Sequence, residues 1–316
     1  MSDPAGAPHG APAAFQPSAH RRRRSTAAVT TPAPRITLAQ AMGTCFGVQD
    51  AIDLALQPEW RDRLTVVGQL VHNPQVTERL RANGVAIVDR DQIDQIATEA
   101  VMVTAHGAAD STKRYLRDRG FTVLDATCPL VIRLHKLARF LETKGYFPVV
   151  VGEENHVEVR GVLGNLRRVA VVHDAHDLHC LDGETRIGVV SQTTNRLEKV
   201  QIVVEAIRAL PGVREVRFID TICQPVKERQ QAIQTLLSQD IDLGVVIGGL
   251  NSANTRKLCD LIADRGIEAH HIENAGGLDP AWFAGRRHIG ITAGTSTPQD
   301  VIEEVYAAVR GLVGAV

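Results

Sequence analysis

Aromatic residues are scarce in this sequence, at 4%, which argues against a surface built to stack nucleic-acid bases. Charge of one sign is lacking too. The net charge is −1, so no broad basic field makes nucleic acid an expected partner. No apolar run approaches the roughly 18 to 20 residues of a membrane span. Cysteine is sparse and widely spaced, at Cys45, Cys128, Cys180, Cys223 and Cys259. The number is odd and no CxxC pair suggests a zinc knuckle. No apolar segment follows the run Arg21 to Arg24, so a secretory signal is not expected. Reduced thiols in the cytoplasm are the resulting expectation.

What is present is the composition of a soluble globular protein: 316 residues, 44% hydrophobic and 22% charged. Residues 1–35 stand apart. They are rich in Ala, Pro, Ser and Thr, with Asp3 their only acid. Such a segment has too little apolar surface to fold. It reads as a disordered tail, with an organelle transit peptide as the alternative.

Beyond the tail, one pattern recurs. "ITLAQAMGTC", "FTVLDATC" and "VREVRFIDTIC" are extended runs, and each is followed by a stretch with apolar residues at helical spacing. Cys45, Cys128 and Cys223 therefore sit where a strand gives way to a helix. Pro129 and Pro225 fall in the first helical turn, where a missing N–H costs nothing. Two more β-rich runs follow each Cys unit and end in polar residues. They bring His72 and His106, then His156, Glu158 and Thr193, then Ser252, Asn254 and Ser296.

A period of about 90 residues seen three times is an internal repeat. It divides the chain into α/β modules at 36–128, 129–219 and 220–316. Alternating strand and helix predicts a small parallel sheet in each module. Ligands of such sheets bind beyond the carboxyl ends of the strands. The predicted fold is thus three similar modules in a pseudo-threefold trefoil around one central site. Three thiols meeting there, each at a helix N-terminus, are expected to favour thiolate. Three thiolates without a fourth suit an iron–sulfur cluster with one iron left open. The histidines, hydroxyls and amide around it suit phosphate oxygens, and Glu158 is placed to deliver a proton. Any single Cys after a strand is more often a small buried hydrophobe. The case rests on the threefold repetition.

These residues resemble the 4-hydroxy-3-methylbut-2-enyl diphosphate reductase family. From about Ile36 to Val301, "CFGVQDAI", "LVHNPQV", "TAHG", "DATCPLV", "NHVEVRG", "SQTT", "DTIC", "NSANTRKL" and "TAGTSTP" follow in that family's order. "DATCPLV" and "DTIC" are the most specific. The resemblance implies a 4Fe-4S cluster on Cys45, Cys128 and Cys223. It implies diphosphate contacts from His72, His106, His156, Ser252, Asn254 and Ser296, and proton delivery by Glu158 and Thr193. It implies two-electron removal of an allylic hydroxyl to give isopentenyl and dimethylallyl diphosphates, with electrons from ferredoxin or flavodoxin.

The sequence also departs from that pattern. Ala253 stands for the second of two serines, Val157 for a proline between His and Glu, Glu228 for an asparagine, and Met42-Gly43-Thr44 for Arg-Gly-Phe. Two alternatives follow: a cluster enzyme of the same fold acting on another hydroxylated substrate, and a cluster-bearing redox or iron sensor without turnover. "HDAHDLHC", with His173, His176, His179 and Cys180, has the spacing of a metal site but reads as a surface loop or short helix. Cys259 is expected in the core.

Overall fold

The protein is described from a computed structural model over residues 33–314. Most of the predicted tail lies outside the described residues. Arg35, its last residue, already belongs to strand β1 (Arg35–Leu38). After β1 come α1 (Phe46–Ala55), β2 (Leu64–Val67), α2 (Pro74–Ala82), β3 (Ala86–Val88), β4 (Ala100–Val103), α3 (Asp110–Asp118) and β5 (Thr122–Asp125). The middle of the chain gives α4 (Pro129–Thr143), β6 (Phe147–Val151), α5 (Val157–Leu163), β7 (Ala170–Val172), β8 (Arg186–Ser191), α6 (Leu197–Arg208) and β9 (Glu215–Phe218). The last part gives α7 (Gln224–Leu237), β10 (Leu243–Ile247), α8 (Ala253–Ala263), β11 (Glu268–Ile272), β12 (His288–Ala293) and α9 (Gln299–Gly314).

The strands form three parallel four-stranded sheets, ordered β3-β2-β4-β5, β7-β6-β8-β9 and β11-β10-β12-β1. It is one order, written three times. The two inner strands of each sheet are Val- and Ile-rich and almost wholly buried. That is what parallel strands with both faces covered require. Apolar helix faces supply the cover, with Val203, Val204 and Ile207 of α6 on the second sheet. Val301, Ile302 and Val305 of α9 do the same on the third.

The repeat closes on itself. Each Cys follows an edge strand: β5 precedes Cys128, β9 precedes Cys223 and β1 precedes Cys45. The sequence division puts β1 with the first module. Its hydrogen-bonding partner is β12 of the third, with Ile36 opposite Ile289. The N-terminal strand thus takes in the third sheet the place that β5 and β9 take in theirs. Among the described residues, no helix is long and apolar enough to cross a membrane.

Candidate functional site

Each of the three cysteines is the N-cap residue of a helix: Cys45 of α1, Cys128 of α4 and Cys223 of α7. Their backbone amides are anchored alike. Cys45 donates to Thr295 O at 3.0 Å, Cys128 to Ala105 O at 3.0 Å and Cys223 to Thr193 O at 2.9 Å. Those acceptors are in the loops after β12, β4 and β8. One rule of folding therefore places all three thiols. The approach between modules is close: a Cβ added at Gly47 would meet Cys128 Sγ at 2.4 Å.

All three thiols are free. Burial and the helix starts act on Cys128 and Cys223 in opposite senses. Burial pushes both thiols up, Cys223 to about 12, and the neighbouring charges of Cys45 and Glu158 push the same way. The amides of Leu130, Val131 and Val226 at the helix starts pull down, as a helix N-terminus should, but burial outweighs them. Among the described residues, no three His, Cys, Asp or Glu side chains are grouped to hold a single metal ion. Three free thiols from three helix starts, within electrostatic reach of one another, are a donor set that fits a larger group shared between them.

Beside the thiols is a histidine wall. His72 follows β2, His106 follows β4, and His156 is the N-cap of α5. The His72 and His106 rings stack with centroids 4.3 Å apart, and His156 meets them edge-on at 5.5 and 5.7 Å. Burial lowers His72 and His156 to about 4. His106 is lowered well below its ordinary value by burial and then by the other two imidazoles. The three rings are neutral near pH 7, and His106 Nε2 is buried without a partner.

Glu158 was expected at a strand end. It lies instead in the first turn of α5, because strand β6 stops at Val151 and the His156 side chain accepts from the Glu158 amide. The carboxylate is 2% exposed. It accepts from the Thr193 amide at 2.6 Å and the Thr193 hydroxyl at 2.7 Å. Burial raises its pKa, while Thr193 and Lys257 pull it down. The third module adds Ser252, the N-cap of α8, which accepts from the Thr255 amide. It also adds Ser296, which donates to His72 O at 3.2 Å. Asn254 is 3% exposed, yet neither its amide nitrogen nor its oxygen has a partner. Such a buried, unsatisfied amide costs free energy unless a ligand completes it.

Sequence reasoning missed three basic residues here. Lys257 has a buried Nζ that forms a loose ion pair with Glu153 Oε1 at 3.6 Å, and Arg256 lies 3.2 Å from the other Glu153 oxygen. Arg229, 6% exposed, donates to Gly43 O and Pro225 O and lies within the field of Cys45 and Cys223. The signal for Lys257 was its place three residues after Asn254 on one helix face. His173, His176, His179 and Cys180 are exposed around a short turn at Leu178–Leu181. Cys259 is half-buried against the core of the third module.

Comparison with known proteins finds relatives over most of the chain. The family described as LytB protein matches residues 36–310. A protein of Aquifex aeolicus (strain VF5), named 4-hydroxy-3-methylbut-2-enyl diphosphate reductase, is 37% identical over 281 residues, covering 87% of this chain and 96% of its own. One of the same name from Pelobacter propionicus (strain DSM 2379 / NBRC 103807 / OttBd1) is 36% identical over 278 residues, covering 87% and 97%. A solved structure of (E)-4-hydroxy-3-methyl-but-2-enyl diphosphate reductase, described as the terminal enzyme of the non-mevalonate pathway, superposes with TM-score 0.63 at 36% identity. It covers 88% of this chain and 99% of that one. The reductase structure from Plasmodium falciparum, at 24% identity and TM-score 0.81, shares the fold.

Proposed function

The chain belongs to the LytB family, and from that premise we propose that it reduces 4-hydroxy-3-methylbut-2-enyl diphosphate to isopentenyl and dimethylallyl diphosphates. Two electrons and two protons enter, the allylic C–O bond breaks, and the hydroxyl leaves as water. Cys45, Cys128 and Cys223 would hold a 4Fe-4S cluster. When bound, that cluster supplies the electrons and a Lewis-acidic iron. A soluble donor of the ferredoxin or flavodoxin kind would refill it, in the cytoplasm.

The protein's own residues supply the rest. The diphosphate is bound by His72, His106 and His156 with Ser252, Asn254 and Ser296. The unpartnered amide of Asn254 and Nε2 of His106 gain in the complex the partners they lack. An anion beside the three imidazoles also favours their protonated form, which turns a neutral wall into a cationic one. Lys257 and Arg256 add positive charge at the seam with the third module.

The observation that carries the chemical step is the Glu158–Thr193 pair. It is buried, mutually hydrogen-bonded, and within electrostatic reach of Cys128 and Cys223. A carboxyl group whose pKa burial raises keeps its proton to higher pH and can give it up at Oε2 through Thr193 Oγ1. Hydroxide is a poor leaving group, so that proton is needed where the hydroxyl departs. Glu158→Gln keeps the shape but cannot shuttle a proton. Turnover should fall by about 10²- to 10⁴-fold, while iron content and diphosphate affinity stay near those of the wild type. Near-normal turnover of the Gln variant would remove Glu158 from the reaction.

A further inference from the structure

A cavity of about 800 Å³ lies between the first and second modules, outside the histidine wall. It is lined by Gly107 and Val157, the neighbours of His106 and His156, and not by the histidines themselves. Its size falls within the range of small-molecule sites, and nothing in the chemistry described above uses it.

Four features give it one character. Arg90 and Arg160 both line it from its solvent-exposed rim, and Arg90 is held below the ordinary guanidinium value by partial burial first and by Arg160 next. Two guanidiniums within each other's field repel. Among the described residues, neither has a carboxylate within salt-bridge distance. Asp91, also on the lining, is exposed to solvent. The second feature is the start of α3, a helix of nine residues whose N-cap, Ala109, has no side chain to offer the first-turn amides. The Asp110 amide is taken by Asn165 Oδ1, and the Asp110 carboxylate by Arg139. Ser111 and Thr112 follow on the cavity lining. The third feature is independent of both. Thr104 borders the cavity at 1% exposure, and its hydroxyl, shielded from solvent, has no partner. The fourth is the remaining wall, which is apolar, with Val67, Ile93, Val103 and Leu116.

The geometry points to a second ligand site here, for a phosphate or diphosphate monoester carrying a short apolar chain, with the anion between Arg90, Arg160 and the start of α3. Planar guanidinium forks and free helix-start amides are the protein groups that match phosphate oxygens. The apolar wall takes the chain. Tyr115 is the one aromatic side chain on the lining, so there is no sandwich for a nucleobase. The charge of Arg90 reaches His72 and His106, so an anion in this cavity is felt at the histidine wall.

Calorimetric titration of the anaerobically reconstituted protein with dimethylallyl diphosphate tests the assignment, beside Arg160→Gln and the cavity-filling Thr112→Phe. Two binding events per chain are expected in the wild type. Either substitution should weaken one of them by about tenfold or more, Arg160→Gln through the loss of a charge-assisted contact and Thr112→Phe by occupying the cavity. That same event should be weaker with inorganic diphosphate, which has no chain for the apolar wall. A single event in the wild type that Arg160→Gln abolishes also supports the cavity, and counts against the histidine site as a diphosphate site. Titrations that Arg160→Gln leaves unchanged overturn the proposal, whatever Thr112→Phe does. Equal affinity of the lost event for inorganic diphosphate overturns its apolar half.

Discussion

The three imidazoles of His72, His106 and His156 set the behaviour of the site as pH changes. Each has its proton affinity depressed by burial in the folded protein, to about 4 for His72 and His156, so for those two the unfolded chain binds more protons than the folded one between about pH 6.5 and 4, and His106 acts in the same direction. Stability then rises with pH across that window and is lost as pH falls through it, at a rate of at most about 1.4 kcal/mol per pH unit for each group. Denaturant titrations of the protein without ligand should show this loss, and His72→Asn should reduce its slope. An anion acts in the opposite sense, since it stabilises the protonated rings. Affinity for inorganic diphosphate should therefore increase from pH 7 to pH 5.5, by up to tenfold per unit for each proton taken up. Affinity flat over that range would show that the histidines stay neutral around the anion. At this scale the sequence was readable where a residue type repeats at equivalent places, as the cysteines and the histidines do. Lys257 and Arg229 were not. For Lys257 the one signal was its spacing from Asn254, and a basic residue in a polar helix carries no other mark of burial until the packing of the modules encloses it.

Among the elements, the three cysteine-capped helices decide whether the thiols can share one ligand. Gly47 in α1 lies so close to Cys128 that a methyl group has no room beside the sulfur. Gly47→Ala should push α1 away from Cys128. Iron content after reconstitution should drop by at least half, with far-ultraviolet circular dichroism little changed, since alanine favours a helix over glycine by about 1 kcal/mol. Full iron loading in this variant would mean that the two helix starts are not tightly coupled. These strand–Cys–helix units were plain in the sequence, because a switch from extended to helical periodicity is a strong signal. Strand ends were less plain. "TVVGQLVH" looks continuous, yet Gly68 takes φ 88° and β2 stops at Val67. Val157 and Val159 prolong the apparent strand of β6, but the backbone turns after Val151 and His156 caps a helix instead. Inner parallel strands are apolar on both faces, so alternation cannot mark where they end.

Across the whole molecule, the repeat is closed by its first strand. β1 completes the third sheet and leads directly into Cys45, so the N-terminal boundary matters to within a few residues. A chain starting at Ala33 should fold and load iron like the full chain. A chain starting at Ala39 lacks β1, the outer of the two strands paired with β12. It should be less stable by on the order of 3 kcal/mol, from a few strand hydrogen bonds at about 1 kcal/mol each, and its Cys45 should bind iron poorly. Equal stability of the two chains would show that β1 is dispensable. The threefold plan was legible from the recurring period. The pairing of β1 with β12 was not, because the two are separated by nearly the whole chain and neither carries a local signal for the other.

The most direct test of the account is anaerobic reconstitution with iron and sulfide, followed by assay with 4-hydroxy-3-methylbut-2-enyl diphosphate and a chemical one-electron reductant. The account predicts two electrons consumed per molecule of substrate, with isopentenyl and dimethylallyl diphosphates as products. It also predicts that iron and turnover are lost together in Cys45→Ser, Cys128→Ser and Cys223→Ser, and retained in Cys180→Ser and Cys259→Ser. A protein that loads iron through those three cysteines yet leaves this substrate unreduced would contradict the proposed reaction and favour a different hydroxylated substrate. Iron that survives Cys45→Ser but not Cys180→Ser would contradict the threefold site itself.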